Sequence, residues 1–287
     1  MRHRTNVPRT RPALIAPAAS ALLLIPVSAC SDLPAHDRPA PAHEIAITSL
    51  DFSYIAPDTI PSGLTRIRLT NDGREHHHAQ LAQLQAGHTV AELRDSLAAK
   101  RGLPSWVTFV GGPNTPAPGL ASEVVVSLEP GSYAVLCFVE SADGVPHLAK
   151  GMIRGLAVVP TKTSPQMEPR ADAQMVLDDY GFALTPALTA GRRTIKVENG
   201  GPQPHEVIFI RLRPGKTAAD VLAWLKAEEG PPPGEPYGGT VALQAGRVNY
   251  VTADFTRGDY ALLCFVPDAG DGRRHVAHGM VSQFRVD

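Results

Sequence analysis

Short runs of apolar and β-branched residues, separated by turn signals, dominate the chain beyond residue 43. Val124-Val125-Val126-Ser127-Leu128 and residues 133–139 are two such runs, parted by Glu129-Pro130-Gly131. That tripeptide cannot continue a strand, so the pair reads as two strands joined by a turn. Ile67-Arg68-Leu69-Thr70 alternates apolar and polar positions before Asn71-Asp72-Gly73. Residues 207–212 are apolar on both sides of the alternation and predict a strand buried on both faces. Two segments break the β pattern. Thr89-Val90-Ala91-Glu92 is a capping box, with Leu93 and Leu97 following on one helical face. Thr217 and Asp220, followed by Val221 and Leu225, repeat it. The expectation is an all-β protein in which helices cover the sheets and carry no chemistry.

The pattern occurs twice, at an offset of 127 to 128 residues. Asp51-Phe52-Ser53-Tyr54 answers Asp179-Tyr180-Gly181-Phe182. Gly131-Ser132-Tyr133-Ala134-Val135-Leu136-Cys137-Phe138-Val139 answers Gly258-Asp259-Tyr260-Ala261-Leu262-Leu263-Cys264-Phe265-Val266. His147-Leu148-Ala149-Lys150-Gly151-Met152 answers His275-Val276-Ala277-His278-Gly279-Met280. Two copies of domain size are a duplication and not a solenoid. The expected domains span residues 44–160 and 173–287, with a proline-rich linker over 161–172. Each half is expected to fold on its own.

The first 43 residues read differently. Arg2, Arg4, Arg9 and Arg11 precede an apolar stretch over residues 13–25, the anatomy of an export signal. Its end, Val27-Ser28-Ala29-Cys30, resembles a bacterial lipobox. In that family the signal, here residues 1–29, is cut before the cysteine, whose sulfur is lipidated. The alternative is an ordinary signal with an incidental cysteine. Residues 30–43 are polar and rich in Pro and Ala, expected to be a lipidated, disordered tether. The resemblance implies a cell-envelope protein anchored to a membrane through Cys30 and facing the periplasm or the outside. Ser31 after the cysteine points to the outer membrane if the envelope is Gram-negative. A formal net charge of −1 argues against a nucleic-acid partner, since phosphate binding needs a basic face.

The remaining cysteines, Cys137 and Cys264, stand at equivalent positions in the two copies. Equivalent positions in separate cores do not meet the ~6 Å Cα spacing of a disulfide. Each cysteine has local company instead. His147 and Met152 follow Cys137 by ten and fifteen residues; His275 and Met280 follow Cys264 by eleven and sixteen. Thiolate, imidazole and thioether on one loop suit copper that cycles between Cu(I) and Cu(II), which takes two His, one Cys and a weak axial Met. The second His comes from an earlier strand. His205 lies six residues after Asn199, and His77 lies six after Asn71. In the His76-His77-His78 run only His77 keeps the register of the repeat, and His76 with His78 is left as a possible secondary metal pair.

An early His, then Gly-x-Tyr-x-x-x-Cys, then His-x-x-x-Gly-Met, resembles the cupredoxins. The long Cys-to-His loop is most similar to the type 1 site of copper nitrite reductases. The resemblance implies two tandem Greek-key β-sandwiches, each with one inserted helix. It also implies two type 1 copper ions, held by His77, Cys137, His147 and Met152 and by His205, Cys264, His275 and Met280. The family often places Asn or Ser after the first His to brace the ligand loops; here His78 and Glu206 stand there. One-electron transfer to an unidentified redox partner protein is the expected function. A copper store or chaperone, or a cupredoxin-fold binding module with metal-free sites, is the alternative. A multicopper oxidoreductase fits less well. Such enzymes need further histidines beside the cysteine, and Leu136, Phe138, Leu263 and Phe265 occupy those places. No catalytic residue is expected.

Overall fold

The computed structural model describes residues 42–99, 102–162, 166–227 and 229–287. The export signal, Cys30 and most of the tether lie outside the described residues. The first copy runs β1 (His43–Leu50), β2 (Ser53–Ile55), β3 (Thr59–Pro61), β4 (Gly63–Asn71), β5 (Gln80–Leu84), α1 (Val90–Ala98), β6 (Val107–Gly111), β7 (Ala121–Leu128), β8 (Gly131–Leu136) and β9 (Ile153–Val159). The second runs β10 (Ala173–Asp178), β11 (Gly181–Thr185), β12 (Gly191–Asn199), β13 (His205–Leu212), α2 (Ala218–Ala227), β14 (Gly234–Leu243), β15 (Val248–Phe255), β16 (Gly258–Leu263) and β17 (Val281–Val286). The capping box forms as read: Thr89 accepts from the Glu92 amide and Glu92 accepts from the Thr89 amide.

These strands make two sheets. One has the order β11-β10-β12-β15-β7-β4-β1-β2, the other β17-β16-β13-β14-β6-β5-β8-β9-β3. Neighbours are often not consecutive, because the chain crosses between layers in Greek-key fashion. The core lies between the layers. Ile47, Ile67, Leu69 and Val124 meet Leu81, Tyr133 and Val135 in the first copy, and Met175, Ile195 and Val197 meet Phe209 and Leu262 in the second. The outer face of the first sheet is open, so β4 and β10 alternate between buried and less buried positions. The outer face of the second sheet is covered. Leu93 of α1 packs on Ala82, Leu84 and Phe109, and Val221 of α2 on Ile208, Ile210 and Leu263. That cover is why residues 207–212 read as apolar on both faces.

The two copies share both sheets. In the first, β7 pairs with β15 from Glu123↔Thr252 to Val126↔Asn249. In the second, β6 meets β14 at Leu243↔Val110. Across the same seam Gln80 Nε2 donates to the Ala242 carbonyl at 3.0 Å, and the amides of Asn114 and Val241 donate to the carbonyls of Gly239 and Gly112. The core side chains of both copies form one continuous cluster, and the described residues from 42 to 287 belong to one compact unit. The linker therefore separates the copies in sequence and not in the sheets. It is itself tied down, with Gln166 hydrogen-bonded to the Leu64 backbone of one copy and Glu168 accepting from Tyr250 Oη of the other.

Candidate metal centres

Each centre is built from one strand pairing and one loop. β5 runs antiparallel to β8 with Gln80 opposite Leu136, and β13 to β16 with Ile208 opposite Leu263. Both registers carry the first histidine, His77 or His205, past the strand end on which Cys137 or Cys264 sits. The chain then leaves the strand, loops, and returns through a short 3-10 turn, His147–Lys150 or His275–His278. That turn was not foreseen from the sequence, and it accounts for the His-x-x-x-Gly-Met spacing. The Met152 amide donates to the His147 carbonyl at 2.9 Å, and Met280 to His275 at 3.0 Å. The Leu148 and Val276 amides reach back to the carbonyls of Cys137 and Cys264 at 2.9 and 2.8 Å. Three donor residues are thereby stitched to one strand end by backbone bonds.

The donors converge. His77 Nδ1 lies 3.0 Å from His147 Nδ1, and Cys137 Sγ lies 3.5 Å from His147 Nδ1. In the second copy the same distances are 3.0 and 3.4 Å. In each trio the ligand atoms all lie within 4.8 Å of one another, as suits donors sharing one ion through bonds of about 2 Å. All six side chains are fully buried, as are Met152 and Met280. Both cysteines are free thiols. Burial pushes the Cys137 thiol up to about 12 and raises Cys264 as well. A thiol so buried ionises when a metal takes the place of its proton. Burial also lowers His77, His205 and His275, the last to about 4, which leaves them as neutral imidazoles. A soft sulfur, two neutral imidazoles and a nearby thioether fit type 1 copper.

The residues that replace the usual Asn or Ser do brace the loops. His78 Nε2 accepts from the Phe138 amide at 2.9 Å, and Glu206 Oε1 accepts from the Phe265 amide at 2.8 Å. The Glu206 amide donates to Cys264 Sγ at 3.4 Å. Different chemistry at one position thus holds the residue after each cysteine in the same way. Burial, with the neighbouring His147 and His77, drops His78 to about 3. Burial raises Glu206 to about 7. His78 is committed to that amide, while His76 beside it is exposed. Among the described residues, neither belongs to a group of three convergent ligands. A third group, Asp268, Asp271 and His278, is partly exposed; in the first copy the Lys150–Asp143 ion pair, at 2.8 Å, answers its His278–Asp271 contact.

Sequence reasoning missed the carboxylates behind the histidines. His77 Nε2 lies 3.1 Å from Asp51 Oδ1, His147 Nε2 2.9 Å from Glu75 Oε2, and His205 Nε2 2.5 Å from Asp179 Oδ1. His275 Nε2 lies 3.9 Å from Asp268 Oδ2, beyond hydrogen-bond reach. The repeat held a signal for two of them, since Asp51 and Asp179 open an aligned segment. Aromatic edges complete the wall: Phe52 stands 5.2 Å from His147 and Tyr180 5.2 Å from His275.

No protein-family model matches the chain, and no curated protein matches it. Among solved structures it is similar to an auracyanin from the photosynthetic bacterium Roseiflexus castenholzii, at 20% identity over 42% of this chain and 100% of that one, with a TM-score of 0.30. It is similar to the copper nitrite reductase of Nitrosomonas europaea, at 14% identity over 86% of this chain and 94% of that one, with a TM-score of 0.26. A multicopper oxidase is 16% identical over 88% of this chain and 93% of that one, with a TM-score of 0.24. The chain's own geometry carries the assignment: an all-β, cupredoxin-like sandwich with two His–Cys–His groups that fit tandem type 1 copper sites.

Proposed function

We propose that this chain is a copper-binding envelope lipoprotein that transfers electrons one at a time through two type 1 copper centres. The observation that supports this reading is the repeated trio, His77–Cys137–His147 and His205–Cys264–His275, at nearly the same distances in both copies. Met152 and Met280 would complete the two donor sets, and copper, when bound, would supply a one-electron couple. The residues do the rest. Backbone bonds hold the donors before any metal arrives, so little rearrangement accompanies a change of charge. Burial excludes water, and four protein donors leave no open position for a substrate. Two of the similar structures are enzymes, a nitrite reductase and a multicopper oxidase. Here Leu136, Phe138, Leu263 and Phe265 flank the cysteines, and Ala82 and Ile210, further along the strands that follow the first histidines, are buried apolar residues. A carrier is the better reading. Cys30 anchors the chain to the membrane, and the redox partner is another protein.

The test is copper stoichiometry with colour. Thiolate-to-Cu(II) charge transfer reports the Cys–Cu bond itself. The loaded chain should hold two coppers. Cys137→Ser and Cys264→Ser should each remove one copper's share of the band, and the double variant should be colourless. Copper bound without colour, or no copper after reducing reconstitution, would overturn the reading.

A further inference from the structure

We propose that Asp51, Glu75 and Asp179 are positioning residues that favour Cu(II) over Cu(I), and so hold both centres at a low reduction potential; Asp268 does the same more weakly. This rests on the copper reading above. The argument begins with which nitrogen faces inward. In all four imidazoles Nδ1 points at the other donors, which turns Nε2 outward. Behind each Nε2 stands a carboxylate, at 3.1, 2.9 and 2.5 Å in three cases and 3.9 Å in the fourth.

An imidazole that ligates through Nδ1 carries its proton on Nε2, and that N–H donates to the carboxylate. The hydrogen bond fixes the tautomer and the ring plane and makes Nδ1 a stronger donor. It also adds charge. A cupric ion with one thiolate has net charge +1; two carboxylates bring the centre and its surroundings together to −1. Adding an electron to such a centre is opposed by both. The carboxylates are partly solvated, with Asp51 and Glu75 about one-third exposed and Asp179 about one-quarter, so screening reduces the effect without abolishing it.

The carboxylates are built in. Asp51 Oδ1 also accepts from the Arg74 amide at 2.9 Å and the Glu75 amide at 3.2 Å. Those bonds lock the segment just before His77; burial would raise the Asp51 carboxyl, and the His77 contact, with these amides, holds it below its ordinary value. In the second copy Gln203 stands at the Glu75 position and donates to both Asp179 and Asp268. The second carboxylate there comes from the ligand loop. Asp268 also accepts from Tyr180 Oη at 2.6 Å and from the Gly270 and Asp271 amides. So occupied, and at 3.9 Å, it acts on His275 only through its charge.

The test uses the full chain loaded with copper and titrated by spectroelectrochemistry. Cys264→Ser leaves only the first centre coloured and Cys137→Ser only the second, so each potential is read alone. Glu75→Gln and Asp51→Asn in the first background, and Asp179→Asn in the second, should raise the Cu(I)/Cu(II) ratio at the parent's midpoint at least tenfold, about 59 mV. Asp268→Asn should shift it less. Asp143→Asn, a loop carboxylate paired with Lys150 and not with a ligand, should leave it within twofold. If a variant loses its colour, chelator competition with Cu(I) and with Cu(II) should show Cu(II) affinity falling more, and at position 75 the charge-keeping Glu75→Asp should retain the colour that Glu75→Gln loses. Coloured variants with ratios within twofold of the parent, or equal losses of both affinities, overturn this proposal alone. A parent chain that takes up no coloured copper overturns it together with the reading beneath it.

Discussion

Gly239→Ala should remove much of this protein's stability margin, because the pairing of β14 with β13 leaves no room for a Cβ there. Gly239 has φ +124°, and a Cβ there would stand 2.1 Å from the Val207 carbonyl oxygen and 3.0 Å from its carbon. Val207 lies two residues beyond His205 on β13. The first copy repeats the arrangement. Gly112 has φ +134°, and its Cβ would stand 2.1 Å from the oxygen of Ala79, two residues beyond His77. The backbone conformation alone costs an alanine about 1–3 kcal/mol. The overlap is with a backbone carbonyl already in a sheet, so it cannot be relieved by a rotamer change. Overpacking of that kind adds about 1–3 kcal/mol. The expected loss is roughly 2–6 kcal/mol, against a total stability of about 5–15 kcal/mol for a typical domain. Denaturant unfolding of the copper-free chain measures it, as a lower midpoint at unchanged slope. Gly87→Ala is the control. Gly87 has φ +93° and nothing within 4 Å of its Cβ, so it reports backbone strain without overlap. A Gly239→Ala loss no larger than that of Gly87→Ala would refute the steric argument.

Four further outcomes are expected. Because both sheets cross the seam, the intact chain should unfold in one cooperative transition, and residues 44–165 and 170–287 expressed apart should associate on mixing; two separate transitions without association would show independent halves. Met152→Leu and Met280→Leu should keep the colour and change the potential of their own centre, since a weak thioether donor would tune more than it holds; bleaching in either would give the thioether a larger role. Glu206, raised to about 7 in the fold against an ordinary 4.5, keeps its proton longer than in the unfolded chain. The copper-free protein should therefore lose roughly 3 kcal/mol as pH rises from about 4.5 to about 7, and Glu206→Gln should flatten that slope in chemical denaturation. The mature chain recovered from membranes should begin at a lipid-modified Cys30 by mass spectrometry; an unmodified or differently placed N-terminus would refute the lipobox reading.

Much of the architecture was legible because it is local or repeated. Strand and turn alternate within a few residues, the capping box of α1 is a four-residue signal, and the Cys–His–Met order lies on one loop. The duplication then placed His77 and His205 by register alone. What was not legible depends on pairing between distant strands. Nothing local in Val124-Val125-Val126 says that its partner is the strand from the other copy. The seam glycines look like ordinary turn residues until Ala79 and Val207 are seen behind them. His78 and Glu206 looked like losses of a bracing residue. The structure shows that the bracing position asks only for an acceptor facing the amide of Phe138 or Phe265, and imidazole and carboxylate both supply one.

The same comparison bears on why two centres would be kept in one chain. The ligand trios are nearly superposable in their distances, so the donor geometry is the same in both copies. The surroundings have diverged. Tyr54 donates to the His78 carbonyl beside the first cysteine, while its counterpart Phe182 has no hydroxyl. The second cysteine has the buried Glu206 next to it, hydrogen-bonded to Asn114 of the first copy at 3.3 Å. Glu75 touches His147 while Asp268 stands off from His275. Hydrogen bonds and charge around the sulfur and imidazoles set a type 1 potential without changing who binds the metal. Two identical centres would give a partner no reason to prefer either. On the electron-transfer reading, two that differ in their outer shells would define a direction for the electron, and Arg274–Glu140, at 2.9 Å, ties the ligand loop of one centre to that of the other.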